Sequence, residues 1–120
     1  MDVKIYRDEA LTPDNYVGRI DERGKVSRVE LDKDDYLGWI DYEEGDIYDE
    51  HDDIIGWVEK DGEVIRLVDD EEEEIGFVTE EGELYWYDKN GEEEFFGKLK
   101  HMEDISEGAA ALLFFCDKVG

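Results

Sequence analysis

Residues 54–68 read IIGWVEKDGEVIRLV, two β-prone runs separated by a turn. The first run centres on Gly56, and the second is rich in branched aliphatic side chains. Between them stands Asp61-Gly62, a dipeptide typical of the tight turn in a β-hairpin. This stretch therefore predicts a hairpin of two short strands.

The same plan recurs along the chain: an apolar residue, a glycine, any residue and then an aliphatic residue. The five glycines, called pivot glycines below, are Gly18, Gly38, Gly56, Gly76 and Gly97. They are separated by 20, 18, 20 and 21 residues. A fixed period of this size indicates one small unit repeated in a stack or a ring. We predict a single all-β domain over residues 1–120, with five short hairpin repeats of about 20 residues around a pseudo-rotation axis.

Each pivot glycine stands inside a predicted strand, where glycine is less favourable than alanine by roughly 0.5–1 kcal/mol. Its recurrence indicates a β-bulge or a close approach of two backbones. Simple alternation along a strand places the residues two before and two after each pivot on the face of the glycine. We therefore expect a crowded inner face that carries Tyr16 and Ile20, Tyr36 and Ile40, and Ile54 and Val58.

The two ends of the chain depart from the repeat. Residues 3–6 look like the second strand of an incomplete repeat, and we expect this strand to close the ring by pairing with a C-terminal element. Residues 109–115 read AAALLFF. This run is too apolar to lie in water, so it should fill the centre of the ring. Periodicity does not distinguish strand from helix in so short a run, but its length and terminal aromatic residues favour a strand.

The charge of the chain is extreme. Its 120 residues include 38 Asp and Glu against 13 Lys and Arg, a formal net charge of −25. Such a field repels nucleic acid and anionic membranes, and it attracts cations or a basic protein partner. We therefore expect a monomer with weak, diffuse cation binding, no direct binding to nucleic acid and no membrane association. The chain is still 40% hydrophobic and 12% aromatic, which indicates a folded domain.

Acidic links connect the predicted hairpins. They cover residues 32–35, 49–53, 69–74 and 88–94. Because the links occupy the same point of each repeat, we expect much of the charge to lie on one rim of the assembly.

The chain has a single cysteine, Cys116, which cannot form an internal disulfide. This indicates a reducing compartment, and we predict a cytoplasmic protein. The first residues show no basic segment followed by an apolar run, so no signal peptide is expected. The apolar neighbours of Cys116 favour a buried structural thiol over a nucleophile.

Few residues suggest chemistry, and each has a simpler interpretation. His51 lies among carboxylates, but a solvated acidic turn explains it better than a metal site. His101 has no clear partner, and the run Asp69–Glu74 lacks the ligand spacing of an EF-hand. No phosphate loop, nucleophile signature or paired Cys motif is present. We therefore predict no catalytic, cofactor-binding or metal-binding residues and a protein that is not an enzyme.

Five aromatic residues could line a binding surface. They are Trp39, Trp57, Trp86, Tyr85 and Tyr87. Aromatic residues at repeated positions more often belong to a core, and we favour that interpretation.

The chain resembles small bacterial and archaeal β-flower proteins in three features. These are the repeated motif around each pivot glycine, the turn glycine six or seven residues after the pivot, and the closing run of alanines and large apolar residues. The resemblance covers about residues 3–116 and implies short hairpins around a five-fold axis. It implies no site residues, because the family offers no established catalytic residues to carry over. A weaker similarity to Trp-Gly repeat proteins is opposed by the reversed order in Gly38-Trp39 and Gly56-Trp57.

The sequence thus predicts a non-catalytic structural or protein-interaction module. The alternative is an acidic mimic of nucleic acid that occupies a basic DNA-binding protein, which requires the carboxylates to form a stripe. A third interpretation is that the acidity is an adaptation to high salt or for solubility.

Overall fold

A computed structural model describes residues 2–30 and 33–115. It is mostly β, with ten strands in one closed antiparallel barrel and one short α-helix. The strands are β1 (Val3–Arg7), β2 (Tyr16–Ile20), β3 (Lys25–Val29), β4 (Asp34–Asp41), β5 (Asp46–Asp49), β6 (Ile54–Val58), β7 (Glu63–Val68), β8 (Glu71–Val78), β9 (Glu83–Tyr87) and β10 (Glu93–Lys100). A 3-10 turn covers Pro13–Asn15, and helix α1 covers Ile105–Phe115. β1 pairs with both β2 and β10, so the predicted closure of the ring by the N-terminal strand is confirmed.

The barrel has two different ends, because successive strands run in opposite directions. The tight connections β2–β3, β4–β5, β6–β7 and β8–β9 share one end, called the turn end, and the acidic links share the other, called the link end. At the turn end, Gly62 adopts φ +94°, and its carbonyl oxygen accepts a 3.0 Å hydrogen bond from the N–H of Val78. The same bond recurs at Gly24–Ile40, Gly45–Val58 and Gly82–Leu99. Each turn is therefore hydrogen-bonded to the strand after its own hairpin, as the turn between β6 and β7 is bonded to β8.

A β-bulge lies at every pivot glycine. At Gly76, for example, the glycine pairs with Val64 while Glu74 pairs with Ile65, so Ile75 is the extra residue. The bulge interrupts simple alternation and turns Ile75 into the core, where it is 6% exposed.

The bulges overturn one sequence prediction. Tyr16, Tyr36 and Ile54 lie outside the core cluster, and Tyr36 is 40% exposed. The residue directly before the pivot packs against the core instead, as Val17, Leu37 and Ile55 do. An alternation rule cannot anticipate this, because one extra residue reverses the faces of everything before it.

Helix α1 fills the inside of the barrel. Ala109, Ala110, Ala111 and Leu112 are fully buried, and together with inward-facing strand residues they form the core cluster. Gly108 is needed for this packing, because a Cβ atom there would overlap the side chain of Val78. The prediction that the apolar run fills the centre is confirmed.

The predicted strand at residues 109–115 is wrong, since this segment is helical. The closed barrel leaves no free strand edge inside with which an eleventh strand could pair. A buried backbone must still satisfy its N–H and C=O groups, and a helix does so within itself. The helix begins with a capping arrangement in which Asp104 Oδ1 accepts the Ser106 N–H at 2.9 Å and Glu107 Oε1 accepts the Asp104 N–H at 3.0 Å.

Candidate interaction surface

Closure of the barrel divides the basic residues unevenly around its circumference. β1, β2 and β3, from the N-terminal part of the chain, lie beside β10. Within their bounds these four strands carry Lys4, Arg7, Arg19, Lys25, Arg28, Lys98 and Lys100. Cations from opposite ends of the sequence are thus gathered on one side.

The other side is an acidic arc, defined here as residues 34–88, which span β4 to β9. This arc has 23 Asp and Glu residues against two Lys or Arg, a formal −21 of the chain's −25. Residues 34–59 contain no Lys or Arg at all, a signal that was readable in the sequence. Only the order of the strands shows that these carboxylates form one continuous surface with a field that attracts cations.

Aromatic side chains stand among the carboxylates on the outside of β4, β5 and β6. Trp39 and Tyr48 lie directly opposite each other on β4 and β5, and their rings stack with centroids 4.3 Å apart and planes 10° apart. The Nε1–H of Trp39 donates a 2.7 Å hydrogen bond to Oδ1 of Asp52. These two contacts hold the indole ring in one orientation on the surface.

The link that presents Asp52 is tied down by its own hydrogen bonds. Oδ1 of Asp49 accepts bonds from the N–H of His51 at 2.8 Å and the N–H of Asp53 at 3.0 Å. The N–H of Asp52 donates to the carbonyl oxygen of Asp49 at 3.0 Å. The Asp52 carboxylate is therefore held beside Trp39 by a closed turn.

Two further aromatic residues extend this surface. Tyr36 is 40% exposed, and the pKa of its hydroxyl is raised by partial burial and then by nearby carboxylates, Asp52 foremost. Trp57 of β6 lies opposite Asp46 of β5. Both rings thus lie close to carboxylates.

Like charges face each other on the same surface. Asp41 of β4 pairs in register with Asp46 of β5, and the pKa of Asp46 is raised first by burial and then by Asp41. Like charges directly opposite each other destabilise a sheet, and a bound cation would relieve this repulsion. We define the aromatic–carboxylate patch as Tyr36, Trp39, Tyr48, Trp57, Asp41, Asp46, Glu50 and Asp52.

The five aromatic residues singled out from the sequence lie in two environments. Trp86 packs against the core. The other four are half-buried outside the core cluster, and the core interpretation is wrong for them. These four are Trp39, Trp57, Tyr85 and Tyr87. Alternation places them outside, as at Tyr85, which follows the fully buried Leu84 and stacks on Phe77 at 4.9 Å.

The other candidate residues do not assemble into a site. His51 is exposed, with Nε2 at 3.6 Å from Oε1 of Glu50, and His101 is also exposed. The run Asp69–Glu74 forms a turn and the first half of β8, with every residue exposed. Cys116 lies outside the described residues. Among the residues that are described, no group of three or more His, Cys, Asp or Glu side chains could hold a metal ion.

A cavity of about 490 Å³ opens at the turn end, beside the start of α1. It is lined by Val3, Asp21, Glu22, Tyr42, Glu103, Asp104 and Glu107. Glu107 is only 3% exposed. Its Oε1 accepts the N–H groups of Glu103 at 2.7 Å and Asp104 at 3.0 Å, and its Oε2 accepts the Tyr42 hydroxyl at 2.8 Å. This buried carboxylate therefore fastens the helix and its preceding loop to the barrel.

Three strand arginines share a position opposite a pivot glycine, and one of them reaches the last residue of α1. Arg7, Arg28 and Arg66 each lie opposite a pivot glycine. The guanidinium of Arg28 lies 5.4 Å from the ring centre of Phe115, and Arg66 is 8% exposed. The last turn of α1 has no basic residue of its own, so Arg28 brings a positive charge close to this end of the helix, where such a charge is favourable.

We expect stability to fall steeply in alkaline solution. The Tyr87 hydroxyl donates to Glu63 at 3.1 Å, and burial followed by this carboxylate raises its pKa from 10.0 to about 12. The pKa of Tyr42 is also raised, by burial and by Glu107. Between the unfolded and folded pKa values the folded chain keeps a proton that the unfolded chain has lost, so rising pH favours unfolding.

The measurement is the urea midpoint from about pH 9 to about pH 12. The midpoint of the wild type should fall with pH, and Tyr87→Phe should make that fall shallower. A midpoint that stays constant over this range would contradict the assignment.

Fold and surface together define a small closed β-barrel with an internal helix and a charge-divided exterior. Comparisons with protein-family models, with curated proteins and with solved structures found no match. In the described part of the chain, no helix combines the length and apolarity needed to cross a membrane.

Proposed function

We propose that this protein is a non-catalytic interaction module that binds a basic partner protein through its acidic arc. The observation that carries the proposal is the concentration of a formal −21 on residues 34–88, where the only basic residues are Lys60, in the turn between β6 and β7, and Arg66 of β7. An arc of this kind steers a basic partner toward one side of the barrel. An adaptation to salt or solubility alone does not require the charge to be gathered in this way.

A second candidate is a mimic of nucleic acid that occupies the basic groove of a DNA-binding protein. The arc favours this candidate because a mimic needs its carboxylates on one continuous surface. The two candidates differ in the class of partner and share the same face of the barrel.

The proposal includes the architecture and setting of the module. We propose five hairpins around a pseudo-rotation axis, as in the β-flower proteins that the sequence resembles, with β10 and β1 as the fifth hairpin. The recurring bulge at each pivot glycine supports this arrangement. We also propose a monomer in the cytoplasm, the latter on the single cysteine.

The test compares two variants that remove the same charge from different sides of the barrel. The arc variant combines Glu44→Gln, Glu59→Gln, Glu72→Gln and Glu80→Gln. The control variant combines Asp14→Asn, Glu30→Gln, Glu92→Gln and Glu103→Gln. All eight positions are exposed, and both variants change the net charge by four. Each is used with the wild type to capture proteins from a lysate of the source cells at low salt, followed by mass spectrometry.

We expect the wild type and the control variant to retain the same basic protein and the arc variant to lose it. Identification of that protein as a DNA-binding protein displaced by DNA would favour the mimic. Equal capture by the two variants would contradict the proposal, as would the absence of any retained basic protein.

A further inference from the structure

The outside of β4, β5 and β6 presents rings and carboxylates at fixed positions. Trp39 is stacked on Tyr48 and hydrogen-bonded to Asp52, whose link is closed by the bonds to Asp49. A surface held in this way loses little conformational entropy when a partner binds. It is therefore better suited to a specific contact than a set of freely moving surface side chains.

The chemistry of the patch fits one kind of side chain in particular. An arginine guanidinium is planar, stacks on aromatic faces and binds carboxylate oxygens with a fork of N–H donors. A lysine ammonium brings the same charge without the planar stacking surface. The patch offers an aromatic face and a carboxylate together, since Trp57 lies opposite Asp46 and Trp39 is hydrogen-bonded to Asp52.

The charge of the patch is not balanced within its own strands. Asp41 and Asp46 face each other across the β4–β5 pair, and the stretch 34–59 supplies no Lys or Arg. Lys25 of the neighbouring strand β3 pairs in register with Trp39. The patch itself carries four carboxylates beside this lysine, so it keeps an excess of negative charge that a cationic partner can neutralise.

We propose that the aromatic–carboxylate patch binds an arginine-rich segment of the partner, with guanidinium groups stacked on its rings and paired with its carboxylates. This inference rests on the proposed function, since it names the part of the acidic arc that selects the partner. It predicts a preference for arginine over lysine, which the arc as a whole does not require.

The test uses two eight-residue probes of equal charge, octa-arginine and octa-lysine, titrated into the protein with isothermal calorimetry at two salt concentrations. The wild type should bind octa-arginine at least about threefold more tightly than octa-lysine. Trp39→Leu should weaken octa-arginine binding about tenfold and abolish the preference. Asp52→Asn keeps an oxygen acceptor for the Trp39 N–H and should weaken octa-arginine binding by a smaller factor. Tyr16→Leu, on the side of the barrel rich in cations, is the matched control and should bind like the wild type.

Circular dichroism checks that each variant is folded. If Trp39→Leu does not fold, the comparison of Asp52→Asn with the wild type replaces it. Suppose that the wild type binds both probes with equal affinity, that the arc variant binds them more weakly, and that the changes at Trp39 and Asp52 have no effect. The proposed role of the patch is then wrong, and the proposed function stands. If the arc variant binds both probes as the wild type does, the proposed function is wrong as well. Preference for arginine that disappears with Trp39 or Asp52 supports the patch.

Discussion

Replacing Gly76 with alanine should lower the free energy of unfolding by roughly 3–5 kcal/mol, a large share of the stability of a small domain. A Cβ atom at this position would overlap the carbonyl oxygen of Tyr85 and lie 2.9 Å from the Cα of Trp86. All the nearest atoms belong to the backbone of β9, so no side-chain rotation can relieve the overlap. The two strands must separate, which breaks the hydrogen bonds between β8 and β9.

The measurement is urea unfolding followed by circular dichroism. Gly91→Ala is the control, because a Cβ at Gly91 meets nothing within 4 Å and only its positive φ of +80° is unfavourable. The Gly91→Ala control should lower the free energy of unfolding by about 1 kcal/mol. Gly18→Ala should fall between the two, because its closest neighbour is the side chain of Phe115, which can move. Equal losses at Gly76 and Gly91 would refute the close-approach explanation of the pivot glycines.

Replacing Leu112 with alanine should lower the free energy of unfolding by about 3 kcal/mol and the melting temperature by about 10 °C. Leu112 is fully buried in the core cluster, at the centre of the helix that fills the barrel. The β-strands around it are fixed by pairing on both sides, so they cannot collapse into the cavity left by the lost methyl groups.

Leu11→Ala provides the same chemical change on the surface. Leu11 is 48% exposed, and its replacement should alter stability by no more than about 0.5 kcal/mol. Thermal unfolding of both variants separates loss of core packing from a general effect of the substitution. If the two changes had equal effects, α1 would not be the packed centre of the barrel.

The sequence was a good guide to features set by neighbouring residues. The Asp61-Gly62 turn and its β-prone flanks lie close together in the chain, and the hairpin of β6 and β7 is present. The recurring pivot glycine indicated a bulge or a close approach, and both occur at Gly76. In each case the controlling interaction joins residues within one hairpin or at its edge.

The surface was harder to predict, because it depends on which strands become neighbours. The acidic residues of the arc were visible as separate links, but their continuity depends on the order of β4 to β9 around the barrel. The stacking of Trp39 on Tyr48 depends on the register of β4 and β5. The bond from Trp39 to Asp52 depends in addition on the closed turn after β5.

The amino-acid sequence by itself determined the all-β character, the positions of the turns and the extreme charge, because local conformational preference and composition control these properties. Only the tertiary structure decided that residues 105–115 form a helix and that Tyr36 faces outward. The helix follows from a barrel already closed by β1 and β10, which offers the buried backbone no strand edge to pair with. The outward position of Tyr36 follows from the bulge at Leu37, which reverses the alternation that the sequence alone would suggest.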